Sequence, residues 1–186
     1  MNGLMEIRLH GRGGQGVVSA AKVMAEAAFR EGKNVQAFSL HGAERRGAPV
    51  TAFARIGNTA LLPRCQIQHP DFVIVFDTLL PRETFCAGVK EKGVYLINCP
   101  DAKANKLAFP GVQKVWFVDA AKIAATTGLL STGIPIINAI MLGALARIGL
   151  FQFASLKTVL REKLPGAFAV NLTAAEKGYE SVKETK

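Results

Sequence analysis

Apolar and polar residues alternate over Met5–Leu9 (MEIRL), the pattern of a strand with one buried face. From Gly16 to Arg30 the period changes. Val17, Ala20, Ala21, Val23, Met24, Ala28 and Phe29 form a broad apolar helical face, and Gly32 marks the stop. Val35–Leu40 and Val50–Ile56 predict a second and a third strand. Only HGAERRGAP, residues 41–49, separates them, whereas a parallel crossover needs a dozen or more residues. The two strands are therefore joined by a long hairpin-like loop, or they lie in different layers. Phe72–Asp77 (FVIVFD) is continuously apolar and reads as a central strand buried on both faces. A short helix over Arg82–Lys92, ended by Gly93, leads to strands at Val94–Asn98 and Val115–Asp119. Helical patterns follow at Ala120–Thr126, at Pro135–Ile148 before Gly149, at Leu156–Leu164 with Ser155 as N-cap, and at Leu172–Lys183 with Asn171 as N-cap. With no repeat, low-complexity tract or linker, this order predicts an α/β fold. The expected architecture is one layered domain over residues 1–186, with a mostly parallel sheet, flanking helices and a Rossmann-like glycine loop after the first strand.

That loop is HGRGGQG, residues 10–16, with Gly11, Gly13 and Gly16 spaced as in a dinucleotide fingerprint. Glycines at a strand-to-helix turn let the backbone approach a ligand, and the helix N–H groups and dipole favour an anion there. Arg12 inside the loop adds a guanidinium. A dinucleotide site also wants an acid at the end of the second strand, about 20 residues on. Here that strand ends in Ser39-Leu40-His41, with no acid in place. Glu44 comes later, followed by Arg45 and Arg46, a pair suited to bidentate phosphate binding with Glu44 fixing one of them. If the first two strands are neighbours, the glycine loop and this arginine loop border one crevice.

The formal net charge of +9 over 186 residues favours an anionic ligand or an acidic partner surface. Nucleic acid is disfavoured, because no long basic run occurs and the Phe residues lie within apolar stretches. The three cysteines, Cys65, Cys86 and Cys99, form no C-x-x-C, so a zinc ribbon or iron–sulfur cluster on this chain is not expected. They read as buried small hydrophobes in a chain without disulfides, which suits the cytoplasm. The N-terminus lacks the pattern of a signal peptide, and the stretch Ile134–Leu145, broken by Pro135 and Asn138, is too short to span a bilayer. It reads as a buried helix, in part against another subunit, with Asn138 hydrogen-bonded internally or at that contact. Asp77 and Asp119 end strands and read as helix caps. Asn98 is a candidate ligand or partner contact. His10, His41 and His69 form no catalytic or metal-binding pattern, although His10 and His41 flank the crevice.

Together, HGRGGQGVVSAAKVMAEAA and NVQAFSLHGAERRGAPVTAFARI closely resemble the gamma subunit of 2-oxoacid:ferredoxin oxidoreductases, the pyruvate synthase family. The resemblance continues through HPDFVIVFDTLL, VYLIN, VDAAKIA and GIPIINAIMLGAL, nearly the whole chain. It implies a complex that oxidatively decarboxylates a 2-oxoacid to an acyl-CoA and passes electrons to ferredoxin. Thiamine diphosphate, magnesium and iron–sulfur clusters would lie on partner alpha, beta and delta subunits and none on this chain. Coenzyme A would bind at or near this chain, with Gly11, Arg12, Gly13, Gly14, Gln15 and Gly16 on one side and Arg45, Arg46 and Gly47 on the other. No catalytic residue and no metal ligand is assigned here, and neither membrane nor nucleic acid is implied. Two other readings remain: a stand-alone NADP-dependent reductase, and an assembly subunit whose glycine loop only packs against its partners.

Overall fold

The computed structural model describes residues 3–39, 46–58, 64–100, 109, 112, 114–131, 134–135 and 137–185. The strands are β1 (Met5–Arg12), β2 (Asn34–Ser39), β3 (Pro49–Gly57), β4 (Phe72–Val75), β5 (Val94–Asn98), β6 (Lys114–Val118), β7 (Leu130–Ser131), β8 (Ile134–Pro135) and β9 (Lys183–Glu184). The helices are α1 (Val17–Phe29), α2 (Arg82–Cys86), α3 (Ala120–Thr127), α4 (Asn138–Ile148), α5 (Phe153–Lys163) and α6 (Phe168–Ser181), with a 3₁₀ turn at Pro165–Ala167. Seven strands make one mixed sheet in the order β2-β3-β1-β4-β5-β6-β9, and β7 and β8 form a separate ribbon. β1, β4, β5 and β6 are parallel neighbours, while β3 runs antiparallel to both β1 and β2. The connection between the second and third strands is thus the hairpin expected from its length. The first two strands are not neighbours, however, because β3 is inserted between them.

The sheet has two different faces. Ile7, Leu9, Ala52, Ala54, Phe72, Ile74 and Leu96 point to the helical layer, where they pack with α1 and α4 in the main core. α4 is the centre of that layer, buried from Ala139 to Ala146, so its apolar surface is covered within this chain. It starts at Asn138 rather than Pro135, because Ile134 and Pro135 pair with β7. On the other face, Val73, Val75, Tyr95, Ile97 and Phe117 form a second core with Phe85 of α2. The β2-β3-β1 half of this face is polar instead, with Arg8, His10 and Arg55 buried.

Three further helix ends differ from expectation, each for a local reason. α2 stops at Cys86, since Ala87 is extended (ψ 129°) and Gly88 is left-handed (φ 69°). α5 begins two residues before Ser155 because Phe153 stacks edge-on against Tyr179, with ring centroids 5.1 Å apart. In α6, Asn171 is not the cap. The turn at Pro165–Ala167 starts the helix earlier, and the buried Asn171 amide donates to the Ala167 carbonyl at 2.9 Å. The cysteines also divide: Cys99 is buried and Cys86 half-buried, but Cys65 is exposed. No helix among the described residues is long and apolar enough to cross a membrane.

His10 illustrates the polar face. Arg8 Nε donates to its Nε2 at 2.8 Å, which leaves the ring proton on Nδ1, 3.4 Å from Thr51 Oγ1. Burial first, and the Arg8 charge second, push its pKa down to about 3.

Two predictions follow from this packing. α4 and α6 touch backbone to backbone: a Cβ on Gly143 would overlap the Ala175 carbonyl, and one on Gly178 the Ile140 carbonyl. Gly143→Ala should therefore destabilise the chain by about 1–3 kcal/mol in urea unfolding, whereas Gly166→Ala, which meets open space, should be near neutral. The second concerns acid. An unfolded chain protonates His10 near its ordinary value, whereas the folded chain resists until about 3. Stability should thus be unaffected by His10 at neutral pH and should fall as pH drops between those two values, by up to about 1.4 kcal/mol per pH unit. The wild-type stability curve minus that of His10→Gln should show this slope, and a flat difference would contradict it.

Candidate functional site

The strand that leads into the glycine-rich stretch does not end at Leu9. Its alternation continues, with Gly11 opposite Val50 and Arg12 opposite Pro49 in the pairing with β3. Gly11 occupies an inward position with no space for a side chain: a Cβ would lie 2.6 Å from Val17 Cγ2 and 2.8 Å from both Gln15 Oε1 and Phe76 Cβ. Gln15 closes the turn. Its Oε1 accepts the Arg12 N–H at 2.7 Å, and its own N–H donates to the Arg12 carbonyl at 3.1 Å. Gly14 (φ 99°) and Gly16 (φ 80°) adopt left-handed conformations that favour glycine. Gly16 is the N-cap of α1, yet no side chain caps this helix and its first turn holds no carboxylate. The N–H groups of that turn therefore have no acceptor within the helix. Asn138, the first residue of α4, packs directly on Gly16, with its Cβ and Cγ 2.9 Å from where a Cβ would stand.

The arginine loop meets this turn through β3. The N–H of Gly13 donates to the Ala48 carbonyl at 2.9 Å, and the N–H of Gly47 donates back to the Gly13 carbonyl at 3.0 Å. Arg12 Nη1 donates to the Gly47 carbonyl at 3.1 Å, and Arg12 Nε pairs with Asp77 Oδ2 at 2.5 Å. Asp77 Oδ1 accepts the Leu79 N–H at 2.9 Å, so this carboxylate shapes its own turn and fixes Arg12 at once. Arg46 is exposed at the end of the loop, and Arg45 and His41 lie outside the described residues. Gly11 to Gly16 and Gly47 thus form one hydrogen-bonded unit at the C-terminal rim of the parallel strands.

Two rim residues are occupied in holding the fold. Asn98 donates to the Phe76 carbonyl at 2.9 Å and accepts the Ala121 N–H at 3.2 Å, which joins β4, β5 and α3. Asp119 caps α3 as expected, accepting the Lys122 N–H at 3.1 Å. Asp77 departs from its reading as a cap, since Pro81 is the N-cap of α2. What the sequence concealed was the pairing of Asp77 with Arg12 and the contact of Asn138 with Gly16. Beside Asn138 a groove of about 520 Å³ extends along α1, lined by Ser19, Lys22, Val35, Ala37 and Lys163 among others. Among the described residues, no three His, Cys, Asp or Glu side chains come together as a metal site.

Comparison with known proteins agrees with this architecture. Residues 6–181 match the family described as pyruvate ferredoxin/flavodoxin oxidoreductase. The chain is 43% identical over 182 residues to the common gamma subunit of the pyruvate/ketoisovalerate oxidoreductases of Pyrococcus furiosus, covering 95% of this chain and 96% of that one. It is 42% identical to the pyruvate synthase subunit PorC of Methanothermobacter marburgensis, covering 98% and 99%. The crystal structure of pyruvate oxidoreductase subunit PORC from Thermotoga maritima superposes with a TM-score of 0.80 at 37% identity, over 98% of this chain and 99% of that one. A 2-oxoglutarate:ferredoxin oxidoreductase from Magnetococcus marinus, solved with 2-oxoglutarate, coenzyme A and succinyl-CoA bound, shares the fold at 23% identity and a TM-score of 0.77; 97% of this chain matches 31% of that one. The match over nearly the full length of both chains leaves one assignment: this chain belongs to the pyruvate ferredoxin/flavodoxin oxidoreductase family, as a subunit of its gamma type.

Proposed function

We propose that this chain binds coenzyme A and supports assembly in a multi-subunit 2-oxoacid:ferredoxin oxidoreductase of the cytoplasm. The complex would decarboxylate a 2-oxoacid such as pyruvate to an acyl-CoA and pass the electrons to ferredoxin. Thiamine diphosphate, magnesium and iron–sulfur clusters would sit on the alpha, beta and ferredoxin-like delta partners, with residues 1–186 serving as one gamma-type domain. The observation that carries this reading is the backbone junction of Gly13 with Gly47 and Ala48, which sets the end of the arginine loop, residues 46–48, beside the uncapped start of α1. Such a junction suits the phosphates of coenzyme A, with a Rossmann-like glycine turn on one side and guanidinium groups on the other. Gly14 and Gly16 would face the ligand through backbone, while Gly13, bonded through its N–H and carbonyl to Ala48 and Gly47, would hold the two segments of the site together. Arg12, Arg45 and Arg46 would supply charge, and Gly47 would allow close approach. Gly11 and Gln15 would act by building the turn that the others use.

A stand-alone NADP reductase is less well supported, since the likeness to gamma-type subunits of larger oxidoreductases runs over nearly the whole chain; the missing acid at the end of β2 counts only against NAD. An assembly subunit without ligand contact differs only in the fate of the loops, and one experiment separates them. In the complete complex, Arg45→Ala combined with Arg46→Ala should raise KM for coenzyme A about tenfold or more, because charge-assisted hydrogen bonds contribute about 1.5–3 kcal/mol each. Thiamine-dependent decarboxylation should stay close to wild type. Unchanged coenzyme A kinetics would favour the assembly role, and micromolar NADPH binding by the isolated chain would favour the reductase.

A further inference from the structure

Two arginines are buried on the polar face of the sheet, and they are treated differently. Arg55, 1% exposed, pairs with the Glu6 carboxylate at 3.0 Å and with Gln36 Oε1 at 2.9 Å. Arg8, 7% exposed, has only neutral acceptors among the described residues. Its Nε reaches His10 Nε2 at 2.8 Å, and its Nη2 reaches the Ala87 carbonyl at 2.6 Å. The remaining contacts are long, at 3.4 Å from Nη2 to the Phe85 carbonyl and 3.5 Å from Nη1 to the Ile67 carbonyl. These acceptors engage guanidinium N–H groups, two of them weakly, but no charge among the described residues balances the cation. Nor does His10 add one, because its imidazole stays neutral.

This cation lines an open cavity of about 380 Å³ beside α2. Among the described residues eleven line it; of these Arg8 alone carries a fixed charge, and none is Asp or Glu. Thr51, Thr84, Gln66 and Gln68 supply hydrogen-bonding groups, while Phe53 and Ile67 supply an apolar wall. We propose that this cavity is a binding site for a small organic monocarboxylate, its carboxylate at Arg8 and its short alkyl part against Phe53 and Ile67. A monoanion matches one cation, whereas a dianion such as phosphate would leave a buried charge unmatched. The planar guanidinium also favours a carboxylate over a spherical halide. The proposal does not rest on the coenzyme A reading: Arg8 lies in the middle of β1, whereas that reading concerns the stretch from Gly11 onward at the strand's C-terminal end.

Two of the three histidines, His10 and His69, line the cavity. Histidine side-chain NMR on the full chain therefore reads it directly, with His41→Gln removing the remaining signal. At neutral pH and constant ionic strength, sodium butanoate should shift both signals saturably in the millimolar range. Acetate should bind about tenfold more weakly, for want of two buried methylenes. Arg8→Gln should abolish the response. Gln66→Glu, an exposed position that should leave the fold intact, places a carboxylate at the cavity from within and should also suppress it. Equal shifts with chloride or phosphate, no saturable shift with butanoate, or an undiminished response in Gln66→Glu would each overturn the proposal.

Discussion

The antiparallel insertion of β3 between β1 and β2 is the constraint from which the rim of this protein follows. Because β3 runs against β1, its first residues lie beside the last residues of β1, with Arg12 opposite Pro49. The loop that precedes β3 is thereby delivered to the glycine turn that follows β1. The exchanged bonds between Gly13, Gly47 and Ala48 then lock the two segments. Arg12 adds a side-chain tether to Gly47, and Asp77 at the end of β4 orients that tether. Three strand ends thus converge on one guanidinium, which is why a residue inside a glycine-rich turn has a defined direction.

Much of this was legible in the sequence because period and length are local properties. The alternation of MEIRL, the apolar run FVIVFD and the short 41–49 connection yielded the strands and the hairpin. The alternation runs further than MEIRL, through His10, Gly11 and Arg12, and the dense glycines concealed that continuation. Read as a strand, Gly11 is a filled inward position rather than the first open residue of a loop. The helix starts at Ser155 and Asn171 failed for another reason. Capping preferences contribute about 1 kcal/mol, and packing of Phe153 on Tyr179, or a helical restart at Pro165, overrides that. The meeting of Asp77 with Arg12, and of Asn138 with Gly16, was not legible, because each joins residues 65 or more positions apart through a sheet order that no local pattern encodes.

The same sheet order explains how a strongly basic chain buries arginine. In β1, odd positions Ile7, Leu9 and Gly11 face the helices, and even positions Glu6, Arg8, His10 and Arg12 face the other side. That other side is apolar only where α2 and the second core cover it, under β4, β5 and β6. On β1 and β3 that side carries cations, and they are held one by one: Arg55 by Glu6, Arg12 by Asp77, and Arg8 by carbonyls at the end of α2. Carbonyls at a helix end carry partial negative charge, which makes Arg8 tolerable without neutralising it. Neutral His10 is part of that arrangement, since a second positive charge 2.8 Å from Arg8 would have no compensation. A face built this way has a balanced ion pair towards each end of β1, Glu6 with Arg55 and Arg12 with Asp77, and an electrostatic deficit at Arg8 between them. The imbalance at Arg8, rather than the overall charge of the chain, is what distinguishes this cavity from ordinary basic surface.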